Sequence, residues 1–335
     1  MELRDLERID KKRMFDTYNK WPQIARDSFD HKFEKIDAKD IDHIVFAGMG
    51  GSGSVGDVLS RILSNEDIHV NITKGYVLPK TVDENSLIIT MSASGNTQET
   101  LSILDYANKS KAKVVGFSSG GKMENFCLKN NIFFQNIPLE HSPRASFTRY
   151  LFSILNILEQ IIPIKKTDVN QAISDLNNMK SKIDSNNLGK NNESLELAKW
   201  LKNYPLLYYP GGLEAVAVRC KNSFQENSKS HAFAEEIFES CHNGVMSWER
   251  PTSIQPILIQ GENDHPKTKE RWEILKEFFQ EKNISYRDVY SIKGHILSKI
   301  INLIYVLDYA TIYHAIISNI DPSPVESINY IKERI

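Results

Sequence analysis

The sequence predicts an α/β protein built from doubly wound units, with parallel sheets covered by helices on both faces. Three observations predict it. Short apolar runs recur along the chain and end at glycine or polar turns, helical patterns fill the gaps between them, and the order strand, Gly-Gly, helix occurs twice, at Gly50-Gly51 and at Gly211-Gly212. Short continuous apolar runs are what strands buried on both faces of a parallel sheet require. Alternation of such strands with helices builds βαβ units. The chain has 335 residues, room for two such units or one duplicated unit. The repeated Gly-Gly pair points to duplication, although it is a short match.

Taken in order, residues 1–40 read as a charged helical lead-in. The first unit, 41–150, has strands at 43–47, 69–73, 86–91, 113–117 and 132–136, with helices at 55–63, 97–108 and 122–129. An amphipathic helix over 146–161 leads out of it into a helical connector, 151–195, whose stretch from 164 to 192, rich in Lys, Asp, Ser and Asn, reads as helix or loop. The second unit, 196–335, alternates strand 205–209, helix 213–227, strand 254–260, helix 267–282 and strand 285–290. A long helix over 296–318 and a short one after Pro324 complete it.

Composition narrows the function classes. Hydrophobic residues make up 41% and charged residues 25%, ordinary for a globular protein. A net charge of −2 argues against a dedicated nucleic-acid binder. The apolar stretch 296–317 is broken by Ser298, Lys299, Asn302, Asp308 and His314. It reads as a buried core helix, and no membrane partner is expected. Residues 1–13 are charged throughout and show no signal-peptide pattern, so a cytoplasmic protein is expected. Cys127, Cys220 and Cys241 form no CxxC and no metal-ligand spacing, which fits reduced thiols. One cysteine beside His242 does not make a zinc site.

Two loops carry the chemistry. Gly48-Met49-Gly50-Gly51-Ser52-Gly53 follows a strand and opens a helix. Glycines admit an anion close to the backbone, and a helix N-terminus offers free N–H groups with a positive dipole end. The loop also fits GxGxxG, but the place of the ribose-binding acid reads Ile72-Thr73-Lys74-Gly75. A lysine there leaves an NADP-dependent oxidoreductase as a remote reading. The second loop, Ser92-Ala93-Ser94-Gly95-Asn96-Thr97, gathers Ser92, Ser94 and Thr97 at a helix start. Hydroxyls and backbone N–H groups bind phosphate without a lysine. The plainer reading is a helix N-cap supplied by Ser94 or Asn96, but capping needs one such side chain, not three hydroxyls.

The strand-SxSGxTxET-helix element resembles the signature of sugar isomerase (SIS) domains. With GMGGSG at 48–53, SASGNTQET at 92–100, PRASF at 143–147, the stretch from Glu226-Asn227-Ser228-Lys229 to His242-Asn243, and DPSPVESINYIK at 321–332, the chain resembles the bifunctional phosphoglucose/phosphomannose isomerases. The resemblance implies two SIS-type units and an aldose–ketose isomerase that needs no cofactor or metal. Its substrate is a small sugar phosphate, and its partner a second copy of the chain. Gly50, Gly51, Ser52, Ser92, Ser94 and Thr97 would hold the phosphate and the sugar beside it. Such a reaction opens the sugar ring and then moves a proton between C2 and C1 through an enediolate. The ring step suits a histidine and the proton transfer a carboxylate. A cation serves the developing oxyanion.

The resemblance assigns these roles to His242 for ring opening, Glu226 as base, Arg144 for the enediolate charge, and Lys332 for the ring oxygen. It also implies that His242 serves the neighbouring subunit's site. Taken alone, each has a plainer reading: a solvated glutamate at a helix end, one of nine histidines, an arginine at a helix start, a lysine in a charged tail. His295 fits a helix cap. Two departures flank the histidine: Gly244 stands where an acidic residue is expected, and Phe238 where a proline is expected before Glu239. Ser323 or Thr311 is a candidate for the small hydroxyl that the resemblance links to accepting both C2 epimers. A non-catalytic phosphosugar sensor on the same scaffold is the alternative, disfavoured because no basic DNA-binding unit is evident in the first 40 residues.

Overall fold

The computed structural model describes residues 1–36, 39–189 and 191–334. The chain divides into two compact units, 20–170 and a second made of 1–19 with 171–335. Two short helices, α1 (Leu3–Ile9) and α2 (Met14–Asn19), begin the chain, and α3 (Trp21–Asp30) begins the first unit. That unit continues with β1 (His43–Gly48), α4 (Gly50–Leu63), β2 (His69–Thr73), β3 (Ser86–Ser92), α5 (Gln98–Asn108), β4 (Lys113–Ser118), α6 (Gly121–Lys129), β5 (Phe133–Asn136) and α7 (Phe147–Ile157).

Among the described residues the five strands form one parallel sheet, ordered β2-β1-β3-β4-β5. β1 and β3 are buried along their whole length, as their apolar runs require, whereas the edge strand β2 is partly exposed. The register pairs Gly48 with Met91, so the ends of β1 and β3 and their two loops leave the sheet together. The chain goes from β1 to β2 on one side and resumes with β3 on the other. This is a switch point, the place where open α/β sheets bind ligands.

α8 (Lys166–Ile183) crosses the boundary between the units, so the connector, expected as helix or loop, is helical over much of its length. The second unit then contains α9 (Glu193–Trp200), β6 (Tyr204–Tyr209), α10 (Glu214–Asn227), β7 (Phe233–Glu236), α11 (Ile237–Ser240), β8 (Ile254–Gln260), α12 (Pro266–Glu281), β9 (Arg287–Tyr290), α13 (Ile296–Ile317) and α14 (Glu326–Lys332). Its parallel sheet runs β7-β6-β8-β9. The first strand again lies between the second and the third, so the duplication suggested by the glycine pairs is repeated in the topology.

α13 is long and apolar enough to cross a membrane, but 94% of its most apolar window is buried inside the fold. Asp308 and the tyrosines of α13 make internal contacts, as expected of a core helix. Asp308 accepts hydrogen bonds from Arg219 Nε and Nη2 at 3.0 and 2.6 Å and from Ser223 at 2.8 Å, both on α10. Tyr305, Tyr309 and Tyr313 recur one turn apart on one face of α13. Tyr305 donates to the Tyr18 carbonyl at 2.8 Å and Tyr313 to the Ile183 carbonyl at 2.7 Å, fixing α2 and α8 to the core. Burial pushes the Cys127 thiol up to about 11 and the Cys220 thiol well above its ordinary value, so both stay protonated.

Candidate functional site

In the first unit both predicted loops stand at the β1/β3 switch point. β1 ends in Gly48, Met49 is the N-cap of α4, and Gly50 takes φ +54°, in the left-handed region that glycine tolerates. α5 begins after Thr97, and no side chain caps either helix. The capping alternative for the serine loop therefore does not describe it. Ser94 Oγ accepts from Asn96 N at 3.3 Å, while Asn96 Nδ2 donates to the Ser94 carbonyl at 2.9 Å. These bonds shape the loop and leave the N-terminus of α5 without a side-chain cap, suited to an anion.

The two loops are joined. Ser52 Oγ accepts from Ala93 N at 3.1 Å, leaving its own proton to donate. Ser92 and Thr97 share a hydrogen bond of 2.9 Å. Ser52 and Ser92 are buried and Ser94 and Thr97 half-buried, at the mouth of the crevice. Arg144 is drawn to the same place. A Cβ on Gly51 would lie 2.8 Å from the Pro143 carbonyl oxygen and 3.1 Å from Arg144 Cα. Only glycine at 51 lets that segment come so close, which brings the Arg144 backbone beside the loop, the residue itself being buried. Gly50, Gly51, Ser52, Ser92, Ser94, Thr97 and Arg144 are thus assembled within one unit.

The sequence reading missed a supporting loop. Ser119 Oγ donates to the Ala93 carbonyl at 2.7 Å, and Lys122 N donates to Asn96 Oδ1 at 3.1 Å. Gly95, at φ +68°, packs its Cα directly against the Gly120 carbonyl. The signal was there, since Ser118-Ser119-Gly120-Gly121 is a third strand-to-helix junction rich in serine and glycine. Lys74, the remaining handle for a nucleotide 2′-phosphate, is engaged elsewhere, its Nζ donating to Asp57 at 2.7 Å.

Glu226, His242 and Lys332 lie in the second unit. Glu226 is half-buried, one residue before the end of α10. Next to it Asn227 is buried and donates from Nδ2 to Thr311 Oγ1 at 2.8 Å, while Thr311 donates to the Asp308 carbonyl at 2.7 Å. Thr311 therefore positions the helix that carries Glu226. It is fully buried, and Ser323 is nearly so. Lys229, at φ +54°, donates to the Glu226 carbonyl at 2.5 Å and to the Pro324 carbonyl at 2.7 Å. This ties the end of α10 to the segment leading into α14, where Lys332 is exposed. His242 is exposed on the turn after α11, and that turn is held by Asn243 Nδ2 donating to Glu239 at 2.6 Å. His295 caps α13, accepting from Leu297 N at 3.3 Å.

The second unit has the same switch point, between β6 and β8, but does not repeat the cradle. In place of a serine loop β8 ends in Gly261-Glu262-Asn263-Asp264, and Asp264 accepts from Gly261 N at 2.9 Å. The helix that follows, α12, is also capped by a side chain, His265 accepting from Lys267 N at 3.1 Å, where α5 has none.

A doubly wound unit with hydroxyl-lined, uncapped helix starts at its switch point defines a phosphosugar-binding protein of the SIS class. Residues 39–132 match the SIS domain model, and 190–335 match the bacterial phospho-glucose isomerase C-terminal SIS domain. A bifunctional phosphoglucose/phosphomannose isomerase of Caldicellulosiruptor bescii is 31% identical over 90% of this chain and 91% of its own. One from Aquifex aeolicus is 30% identical over 94% of both. The solved structure of a glucose-6-phosphate isomerase like protein from Thermus thermophilus has a TM-score of 0.66 at 13% identity, covering 99% of both chains. The chain belongs to the bifunctional phosphoglucose/phosphomannose isomerase family.

Proposed function

We propose that this chain interconverts glucose 6-phosphate, and mannose 6-phosphate as well, with fructose 6-phosphate. The observation that carries the reading is the assembly of Ser52, Ser92, Ser94 and Thr97 with Arg144, held against Gly51, at one switch point. The phosphate sits on the uncapped start of α5 and the sugar extends toward Arg144. His242 delivers a proton to the ring oxygen, Glu226 carries the proton between C2 and C1, Arg144 stabilises the cis-enediolate, and Lys332 contacts the ring oxygen. Both epimers lose their C2 stereocentre in that intermediate, so one base serves both. The reading assigns no metal or cofactor. It takes the protein to be a cytoplasmic homodimer in which His242 completes the neighbouring subunit's site, and it places the reaction in carbohydrate metabolism, between glycolysis and gluconeogenesis.

The test is fructose 6-phosphate formation from each sugar by chelator-treated protein, beside Glu226→Gln. Turnover of both sugars, falling by ~10²–10⁴-fold in the variant, is expected for loss of a positioned base. Turnover of glucose 6-phosphate alone would withdraw the second substrate. Binding without turnover of either would leave a sensor.

A further inference from the structure

The segment between β5 and α7 presents Arg144, and one hydroxyl holds it closed. Ser146 stands immediately before α7, where a serine ordinarily caps the helix by accepting from an N–H of its first turn. Here it makes no such bond. Its Oγ turns back instead, accepting from Glu140 N at 2.9 Å and donating to the Ser142 carbonyl at 2.8 Å. The same carbonyl accepts from Ser146 N at 2.9 Å. With its proton committed and the residue fully buried, Ser146 is not placed to touch a substrate.

Arg144 is the middle residue of the turn that these bonds close, from Ser142 to Ser146. That turn also sets the Pro143 carbonyl and Arg144 Cα against Gly51. Two further groups on α7 steady the residues before it. Arg149 donates from Nε and Nη2 to Glu140 Oε1 at 2.7 and 2.5 Å, and the Tyr150 hydroxyl donates to the Ile137 carbonyl at 3.0 Å. Those bonds hold 137 and 140, whereas the bond from Ser146 to Ser142 spans Arg144 itself. A serine that forgoes the cap brings nothing to the start of α7; the gain falls on the turn. We propose that Ser146 is the positioning residue of Arg144, its hydroxyl fixing the turn from which the arginine reaches the developing enediolate. The proposal rests on the isomerase reading and deepens it. Other residues hold the phosphate, so losing this hydroxyl is felt in the transition state and little in the ground state.

The experiment compares Ser146→Ala, Arg144→Gln and the double variant, in turnover and in binding of two probes. One probe is the hydroxamate of arabinonic acid 5-phosphate, whose planar O–C–N–O group copies the cis-enediolate. The other is glucitol 6-phosphate, which offers the phosphate and chain alone. Ser146→Ala is expected to lower kcat by about tenfold with KM nearly unchanged. Its affinity for the hydroxamate should fall by about tenfold, and that for glucitol 6-phosphate by less than about twofold. In the Arg144→Gln background the same change should alter hydroxamate affinity by less than about twofold, because a group acting through the arginine has nothing left to act through. Amide hydrogen exchange at Glu140, whose N–H the hydroxyl accepts, should quicken in Ser146→Ala without any ligand. Unchanged exchange, unchanged hydroxamate affinity, equal weakening of both probes, or additive losses in the double variant would each overturn the proposal. Wild-type protein that binds glucitol 6-phosphate, isomerises neither sugar and binds the hydroxamate no more tightly would instead overturn the isomerase reading.

Discussion

Two glycine pairs that look alike in the sequence meet different surroundings. A Cβ on Gly51 would press on backbone at Pro143 and Arg144, while one on Gly212 would meet nothing within 4 Å. Backbone cannot rotate aside as a side-chain tip can, so Gly51→Ala must displace the segment that presents Arg144. A displacement of about 1 Å at a catalytic group can cost ~10²-fold in rate. Gly51→Ala is accordingly expected to lower kcat/KM by at least about tenfold. Gly212→Ala should leave kcat/KM unchanged and stability within about 0.5 kcal/mol. Steady-state kinetics and urea unfolding of the two variants side by side decide it, and equal loss in both would refute the argument. The hydroxyls and glycines of the cradle could be read locally, because their chemistry is that of a helix start. The approach of Arg144 to Gly51 could not, since it joins positions far apart in the chain.

The helix that carries Glu226 is held by a buried charge pair as well as by packing. Arg219 and Asp308 are 3% and 0% exposed at their side chains and 2.6 Å apart, with Ser223 also donating to Asp308. One turn on, the Asn227–Thr311 bond extends the clamp between α10 and α13 to the residue beside Glu226. Removing one partner of a buried pair strands the other charge, at a cost of about 3–5 kcal/mol, whereas replacing both by apolar groups is often neutral. Asp308→Leu should therefore lower the urea unfolding free energy by about that amount, and Arg219→Met with Asp308→Leu should recover much of it. A double variant as unstable as the single would show that the hydroxyls around Asp308 matter more than the pair. Elements with clear periodicity or apolar runs were legible, including the central strands, α10 and the long core helix α13. β7 was not, because Phe-Ala-Glu-Glu on a sheet edge has no apolar run to mark it. α9 was missed because its start lies in a polar stretch, where Asn192 caps it by accepting from Leu195 N at 2.9 Å. β7 leads straight into α11 and the turn that carries His242, so missing the strand left the frame of that turn unread.

At the scale of the whole molecule, one doubly wound topology occurs twice, but the helix after its third strand is uncapped only in the first copy. In the second copy His265 caps that helix. Glu226, His242 and Lys332 all lie in this second unit, His242 on an exposed turn and Glu226 at a helix end tied toward α14. The imidazole proposed to open the sugar ring is exposed, and so poorly protected from water unless another surface covers it. In the proposed homodimer, two-fold symmetry would bring each His242 to its partner's site and make the two sites equivalent. This arrangement predicts complementation. Glu226→Gln and His242→Gln homodimers should each be nearly inactive, yet mixing them under conditions of subunit exchange should restore activity. Half of the randomly re-formed dimers carry one intact site of two, so recovery should reach about a quarter of the wild-type rate. Size-exclusion chromatography of the mixture checks that the species is a dimer. If the mixture stays as inactive as its parents while exchange is demonstrated with labelled subunits, Glu226 and His242 act within one chain, and the shared-site arrangement falls while the chemistry assigned to each residue stands.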